Sequence, residues 1–77
     1  MSKLEKLLQR IKNNPKTVRF EELDKILRRE GYDTSQPRGG SSHYTYRKPG
    51  VRSLTIPRQT PYVGEIYVRV VLTALGI

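Results

Sequence analysis

The sequence predicts an α+β domain in the order α-α-β-β-β-α, with a three-stranded antiparallel sheet covered by helices on one face. Three observations carry that expectation. Apolar residues recur at helical spacing twice before residue 31. Residues 32–56 then switch to the alternation of half-buried strands, broken by turn signals, and the C-terminal segment returns to a helical apolar pattern. At 77 residues the chain has room for a single core, and it lies near the lower size at which one core is stable alone.

Leu4, Leu7, Leu8 and Ile11 mark the first helix, with Ser2 as N-cap and Asn13, Asn14 and Pro15 as the stop. Residues 1–14 are thus an additional N-terminal helix within a single domain spanning 1–77. Phe20, Leu23, Ile26 and Leu27 share one face of a second helix, which ends at Glu30 because Gly31 supplies the left-handed cap.

Residues 32–36 alternate β-prone and polar side chains and stop before Pro37, which predicts a short first strand. Residues 38–41 form a glycine-containing turn, and residues 44–48 a second strand. Lys48-Pro49-Gly50-Val51 is a turn in which Pro presets one central angle and Gly accepts a positive φ at the other. Residues 51–56 are the return strand. Side chains alternate across a pleat, so Tyr44, Tyr46, Leu54 and Ile56 are expected inward and His43, Thr45 and Arg47 outward on an open face. After a loop over residues 57–64, the last segment places Ile66, Tyr67, Val70, Val71, Ala74 and Leu75 on one helical face with Glu65, Arg69 and Thr73 facing away. Val68 and Leu72 widen the stripe and its β-branched residues would also suit an edge strand, but length and the trailing Gly76 favour helix. This architecture recurs among double-stranded RNA-binding modules, and by itself it sets no function.

Composition narrows the function classes. Hydrophobic residues are 35% and charged residues 29% of the chain, the balance of a folded domain. No window is long and apolar enough to span a bilayer, and charges interrupt the N-terminal segment, so a cytoplasmic location and no membrane partner are expected. With no cysteine and one histidine, disulfides and thiolate metal sites are excluded and a zinc site is disfavoured. No metal or cofactor is expected.

The net charge of +8 points to a polyanionic partner. Its distribution is uneven. All the acids except Glu65 lie at or before Asp33, whereas Arg38, Arg47, Lys48, Arg52 and Arg58 stand over residues 38–58 with no acid between them. That stretch reads as a phosphate-facing surface.

His43 lies inside it, in "RGGSSHYTY". RNA can be cleaved without a metal when its own 2′-hydroxyl attacks the neighbouring phosphate. The reaction needs a base for the 2′ proton, an acid for the leaving oxygen and cations for the charge gathering on phosphorus. An imidazole titrates in the right range to be either. Arg47 shares the face of His43, and Arg38, Arg52 and Arg58 are candidates to hold phosphate. Ser41 and Ser42 can donate to a phosphate oxygen, and Gly39 and Gly40 allow close backbone approach. The second acid/base group is left open among Tyr44, a lysine and water.

The stretch "EELDKILRREGYDTSQPRGGSSHYTYRKPGVRSLTIP", and within it Gly40-Ser41-Ser42-His43-Tyr44, resembles the HicA toxin family of mRNA interferases. The resemblance covers about residues 20–77. It implies a fold like the double-stranded RNA-binding domain, metal-independent mRNA cleavage with His43 as catalytic residue, and neutralisation by a HicB-like antitoxin in a heteromeric complex. In the family a histidine often follows the proline of the third strand, where this chain has Gln59. A competing reading is a non-catalytic RNA-binding module that grips phosphate with the same cations, and the single histidine keeps it open. A third is an interaction protein whose charge complements an acidic partner.

Overall fold

A computed structural model describes residues 3–35 and 42–76. The elements are α1 (Lys3–Asn13), α2 (Phe20–Arg29), β1 (Asp33–Thr34), β2 (His43–Arg47), β3 (Leu54–Pro57) and α3 (Glu65–Ala74), in the expected α-α-β-β-β-α order. The strands form one antiparallel sheet, β1-β2-β3, with β2 in the centre. Ser2, Gln36, the 38–41 turn and Ile77, all assigned structure in the sequence reading, lie outside the described residues.

α2 is bounded by local chemistry at both ends. At its start the Arg19 amide donates to Glu22 Oε1 at 3.0 Å, the acidic half of a capping box. Glu21 and Glu22 in its first turn and Arg28 and Arg29 in its last complement the helix dipole. At its end Gly31 adopts φ +94. From there the Gly31 amide donates to the Arg28 carbonyl at 3.1 Å and the Tyr32 amide to the Leu27 carbonyl at 2.9 Å. This is a Schellman motif, with Tyr32 buried beneath it at 4% exposure. The cap explains why β1 is shorter than the expected 32–36. Tyr32 spends its amide closing the helix, and among the described residues Asp33 and Thr34 pair with β2.

The β2–β3 connection contains the expected turn. The Val51 amide donates to the Lys48 carbonyl at 3.3 Å, and Gly50 has φ +82. β3 nevertheless begins at Leu54 rather than Val51. Pairing Tyr46 with Leu54 requires one more residue between the strands than a two-residue turn supplies, so residues 51–53 complete the connection. The same register puts Tyr46, Leu54 and Ile56 in the core, at 0%, 7% and 0% exposure. His43, Arg47 and Thr55 face outward and are exposed.

One core joins all the helices to the inner face of the sheet. Ile11 of α1, Leu23, Ile26 and Leu27 of α2, and Val68 and Val71 of α3 are each at most 1% exposed. The Val63 amide donates to the Val18 carbonyl at 2.8 Å, tying the segment before α3 to the segment before α2. α3 meets the core on part of the expected stripe, and Ala74 is exposed with the residues that turn away. Val68 and Val71 are buried and Tyr67, Leu72 and Leu75 pack beside them, whereas Ile66 and Val70 are 69% and 42% exposed. A helix apolar nearly all round carries no strong preference for one face, so packing against the sheet chose it.

α1 belongs to the core through Ile11, with Leu4, Leu7 and Leu8 packed at its margin and an Arg10–Glu22 ion pair to α2. Ile11→Ala should therefore cost about 2–4 kcal/mol, the usual range for deleting a buried aliphatic side chain. Urea unfolding of parent and variant measures it. A loss below about 0.5 kcal/mol would mean that the helix is an appendage and not part of the core.

Candidate nucleic-acid interface

The register of β2 decides which side chains share a surface. His43 lies opposite Pro57, Thr45 opposite Thr55, and Arg47 opposite Asp33 of β1. Paired residues in a sheet project to the same side, so the outward face carries His43 at one end of β2 and Arg47 at the other. Four residues of extended chain separate the two by roughly 13 Å. At that distance Arg47 meets a phosphate next along a bound strand rather than the one at His43. Beside Arg47 a shallow depression of about 170 Å³ is lined by Asp33, Thr34, Ser35 and Thr45.

Among the described residues, Lys48, Arg52 and Arg58 do not converge on His43. Lys48 sits at the turn end of the hairpin, its ammonium 5.6 Å from the centre of the Tyr32 ring and its stem 3.5 Å from where a Gly31 Cβ would be. Arg52 is exposed in the connection at that same far end. Arg58 is close to His43 along the backbone, its amide donating to the Ser42 carbonyl at 2.7 Å. Its side chain, however, lies on the opposite face. It covers the Phe20 ring at 5.6 Å and contacts Glu21 Oε1 at 3.4 Å. The Tyr44 hydroxyl, and then Glu21, hold its guanidinium charged and push its pKa further up. Alternation along the strand is the reason: Pro57 shares the side of His43, and Arg58, one residue on, takes the other. Arg38, Gly40 and Ser41 lie outside the described residues, and Ser42 is exposed just before β2.

Tyr44, one of the candidates for a second acid/base group, also faces inward, its ring centre 5.0 Å from that of Phe20. It does not share a surface with His43. Gln59, at the position where the resembling family often has histidine, accepts a hydrogen bond from the Gly64 amide at 2.6 Å, at the start of α3. Its side chain holds the loop of residues 59–64. Among the described residues no group of three or more His, Cys, Asp or Glu side chains is placed to hold a metal ion. No described helix is long and apolar enough to cross a membrane.

Beneath the outward face lies a network that no short-range pattern announces in full. The Tyr46 hydroxyl donates to Asp24 Oδ1 at 2.7 Å, and Arg28 Nε donates to both oxygens of the same carboxylate at 3.1 and 3.0 Å. The Asp24–Arg28 half is an i,i+4 pair and can be found by spacing. The Tyr46 half joins residues 22 positions apart and cannot. Burial, and then the Asp24 carboxylate, push the Tyr46 phenol well above its ordinary value.

No family model, curated protein or solved structure matches this chain.

The Tyr46 shift has a testable sign. Above about pH 10 the unfolded chain loses this phenolic proton while the folded chain keeps it, so the contribution is complete below that pH and is lost as pH rises further. Tyr46→Phe should cost about 1 kcal/mol at neutral pH, the size of one net hydrogen bond. The gap between parent and variant should narrow as pH is raised from about 9 to about 11. Denaturant titrations at several pH values measure the gap, and a constant gap would refute the assignment.

Proposed function

We propose that this chain is a metal-independent endoribonuclease that cleaves mRNA, the toxin of a type II pair neutralised by a HicB-like antitoxin. The observation that carries the reading is the position of His43, exposed at the entrance of the central strand on the open face of the sheet. There an imidazole meets a bound strand without entering the core. Arg47 lies further along the same face, so the two define a line along which a ribose-phosphate backbone runs. Exposed Ser42 precedes His43 and offers a hydroxyl to a phosphate oxygen.

In this mechanism His43 exchanges a proton at the 2′-hydroxyl or at the leaving 5′ oxygen, and a lysine or water exchanges the other, Tyr44 being committed to the inner face. Arg47 holds a neighbouring phosphate and fixes the register of the strand. The antitoxin, in this reading, covers the His43 face and masks the positive charge.

The same geometry supports a second reading, a non-catalytic RNA-binding module. The residue opposite His43 is Pro57, which has no proton to transfer. Purified chain and its His43→Ala variant, incubated with a long single-stranded RNA in EDTA, distinguish the two. The parent should cleave, and the variant should lose roughly a hundredfold or more of the rate, as for removal of a general acid or base. Arg47→Ala should instead weaken RNA binding and flatten its salt dependence by about one counterion. Intact RNA with retarded mobility in both proteins would establish the binding module, and full cleavage by His43→Ala would remove His43 from the mechanism.

A further inference from the structure

On the side of β2 away from His43, a cleft of about 260 Å³ opens between α2 and the sheet, lined among others by Phe20, Glu21, Asp24, Arg28, Tyr44 and Arg58. It is just below the roughly 300–1,000 Å³ of drug-sized ligand sites, which suits one planar ring system rather than a folded polymer. Its lining alternates in charge. Two carboxylates and two guanidiniums leave no net formal charge, so a phosphate entering it would meet Glu21 and Asp24 as well as the arginines.

The aromatic part is half-buried Tyr44 packed on Phe20, whose other neighbour is the Arg58 guanidinium at 5.6 Å. The Arg58 side chain covers Phe20 and is 52% exposed, so it remains open to solvent. Tyrosine rings and guanidinium planes are the surfaces on which unstacked RNA bases are held. Glu21, Asp24 and Arg28 follow at i, i+3 and i+7 along one stripe of α2. Glu21 and Arg28 are therefore roughly 10 Å apart along the helix axis, a span suited to a purine ring with a hydrogen bond at either end.

The availability of each group narrows the choice further. Asp24 is occupied by Tyr46 and by Arg28 Nε. Glu21 is 65% exposed and, among the described residues, is held by the 3.4 Å contact to Arg58. Arg28 uses Nε for Asp24 while its side chain is 56% exposed, leaving its terminal nitrogens to face a ligand. The cleft thus offers at one end the exposed Glu21 carboxylate, shared with Arg58, and at the other the terminal nitrogens of Arg28. Among the four RNA bases, guanine alone presents two adjacent N–H donors, at N1 and N2, on one edge and two adjacent acceptors, O6 and N7, on another. Adenine and cytosine would turn a ring nitrogen acceptor toward the carboxylate, and uracil offers a single N–H.

We infer that this cleft is a guanine-selective base site, with Glu21 accepting from N1–H and N2–H, Arg28 donating to O6 and N7, and Tyr44 and Arg58 stacking on the ring. Its place in catalysis rests on the nuclease reading. Tyr44 follows His43 in the chain, and the Arg58 amide is bonded to the Ser42 carbonyl, so the cleft and His43 open at the same end of β2 on opposite faces. A guanosine held in the cleft would sit close in sequence to the bond presented to His43.

The test is titration of the isotope-labelled full chain with guanosine, adenosine, cytidine and uridine 5′-monophosphates, followed by amide shifts. All four share the phosphate, so differences report the base. Guanosine monophosphate should shift Glu21, Asp24, Tyr44 and Arg58 and bind roughly tenfold tighter than the others, as expected for one bidentate base contact. Glu21→Gln, at an exposed site, should bring guanosine monophosphate to the level of the other three while the rest of the spectrum is unchanged. Equal affinity for the four, shifts confined to the His43 face, or a guanine preference that survives Glu21→Gln would overturn the assignment. Cleavage of RNA without guanine preference in these titrations sinks the base site and leaves the nuclease standing. Selective guanosine binding by a chain that does not cleave RNA does the reverse.

Discussion

The fold depends on how the inner face of β2 is fastened to α2, and the fastening is the Tyr46–Asp24 hydrogen bond at 2.7 Å within a fully buried ring contact. Tyr46 lies in the central strand, so its position sets the register of both neighbours. A slip of one residue would turn every side chain of β2 over, placing His43 and Arg47 in the core and leaving two tyrosines in water. Hydrophobic burial alone opposes such a slip. The hydroxyl adds a directional requirement, since only one register puts the phenol within reach of the carboxylate on α2. The outward position of His43 is thus a consequence of a tyrosine three residues away.

Electrostatics divide the domain along the same plane. α2 carries Glu21, Glu22 and Asp24, and these neutralise Arg58, Arg10 and Arg28 respectively. Three of the bases on the inner side and the helical rim are therefore paired, although half-exposed pairs of this kind each stabilise little. On the outward face the acid nearest a predicted RNA-binding cation is Asp33, opposite Arg47. The run of bases over residues 38–58 looked like one surface because it holds no acid. In the fold its described members, Arg47, Lys48, Arg52 and Arg58, divide among the outward face, the turn end of the hairpin and the cleft.

Helix boundaries, strand order and the inward set Tyr46, Leu54 and Ile56 could be read from periodicity, capping residues and turn signals, since each is a local property of a few consecutive residues. β1 was overestimated because a helix cap and a strand competed for Tyr32, and the cap won its amide. α3 was oriented only in part, with Tyr67, Val71 and Leu75 toward the core as expected and Ile66, Val70 and Ala74 exposed, because its apolar residues nearly surround the helix and only contact with the core selects among them.

The candidate site divides in the same way. Sequence alone determined that this chain is a small basic α+β domain, that its one histidine lies on an outward strand position, and that cysteine-based chemistry is excluded, because composition and two-residue alternation suffice for each. Only the tertiary structure decided that Arg58 and Tyr44 turn away from His43, that Gln59 is engaged with the Gly64 amide, and that Glu21, Arg28 and Tyr44 share a cleft. Apart from the Gln59–Gly64 bond, which closes one loop, these relations join residues on different elements, and their distances are set by how α2 packs on the sheet, which no pattern confined to one segment encodes.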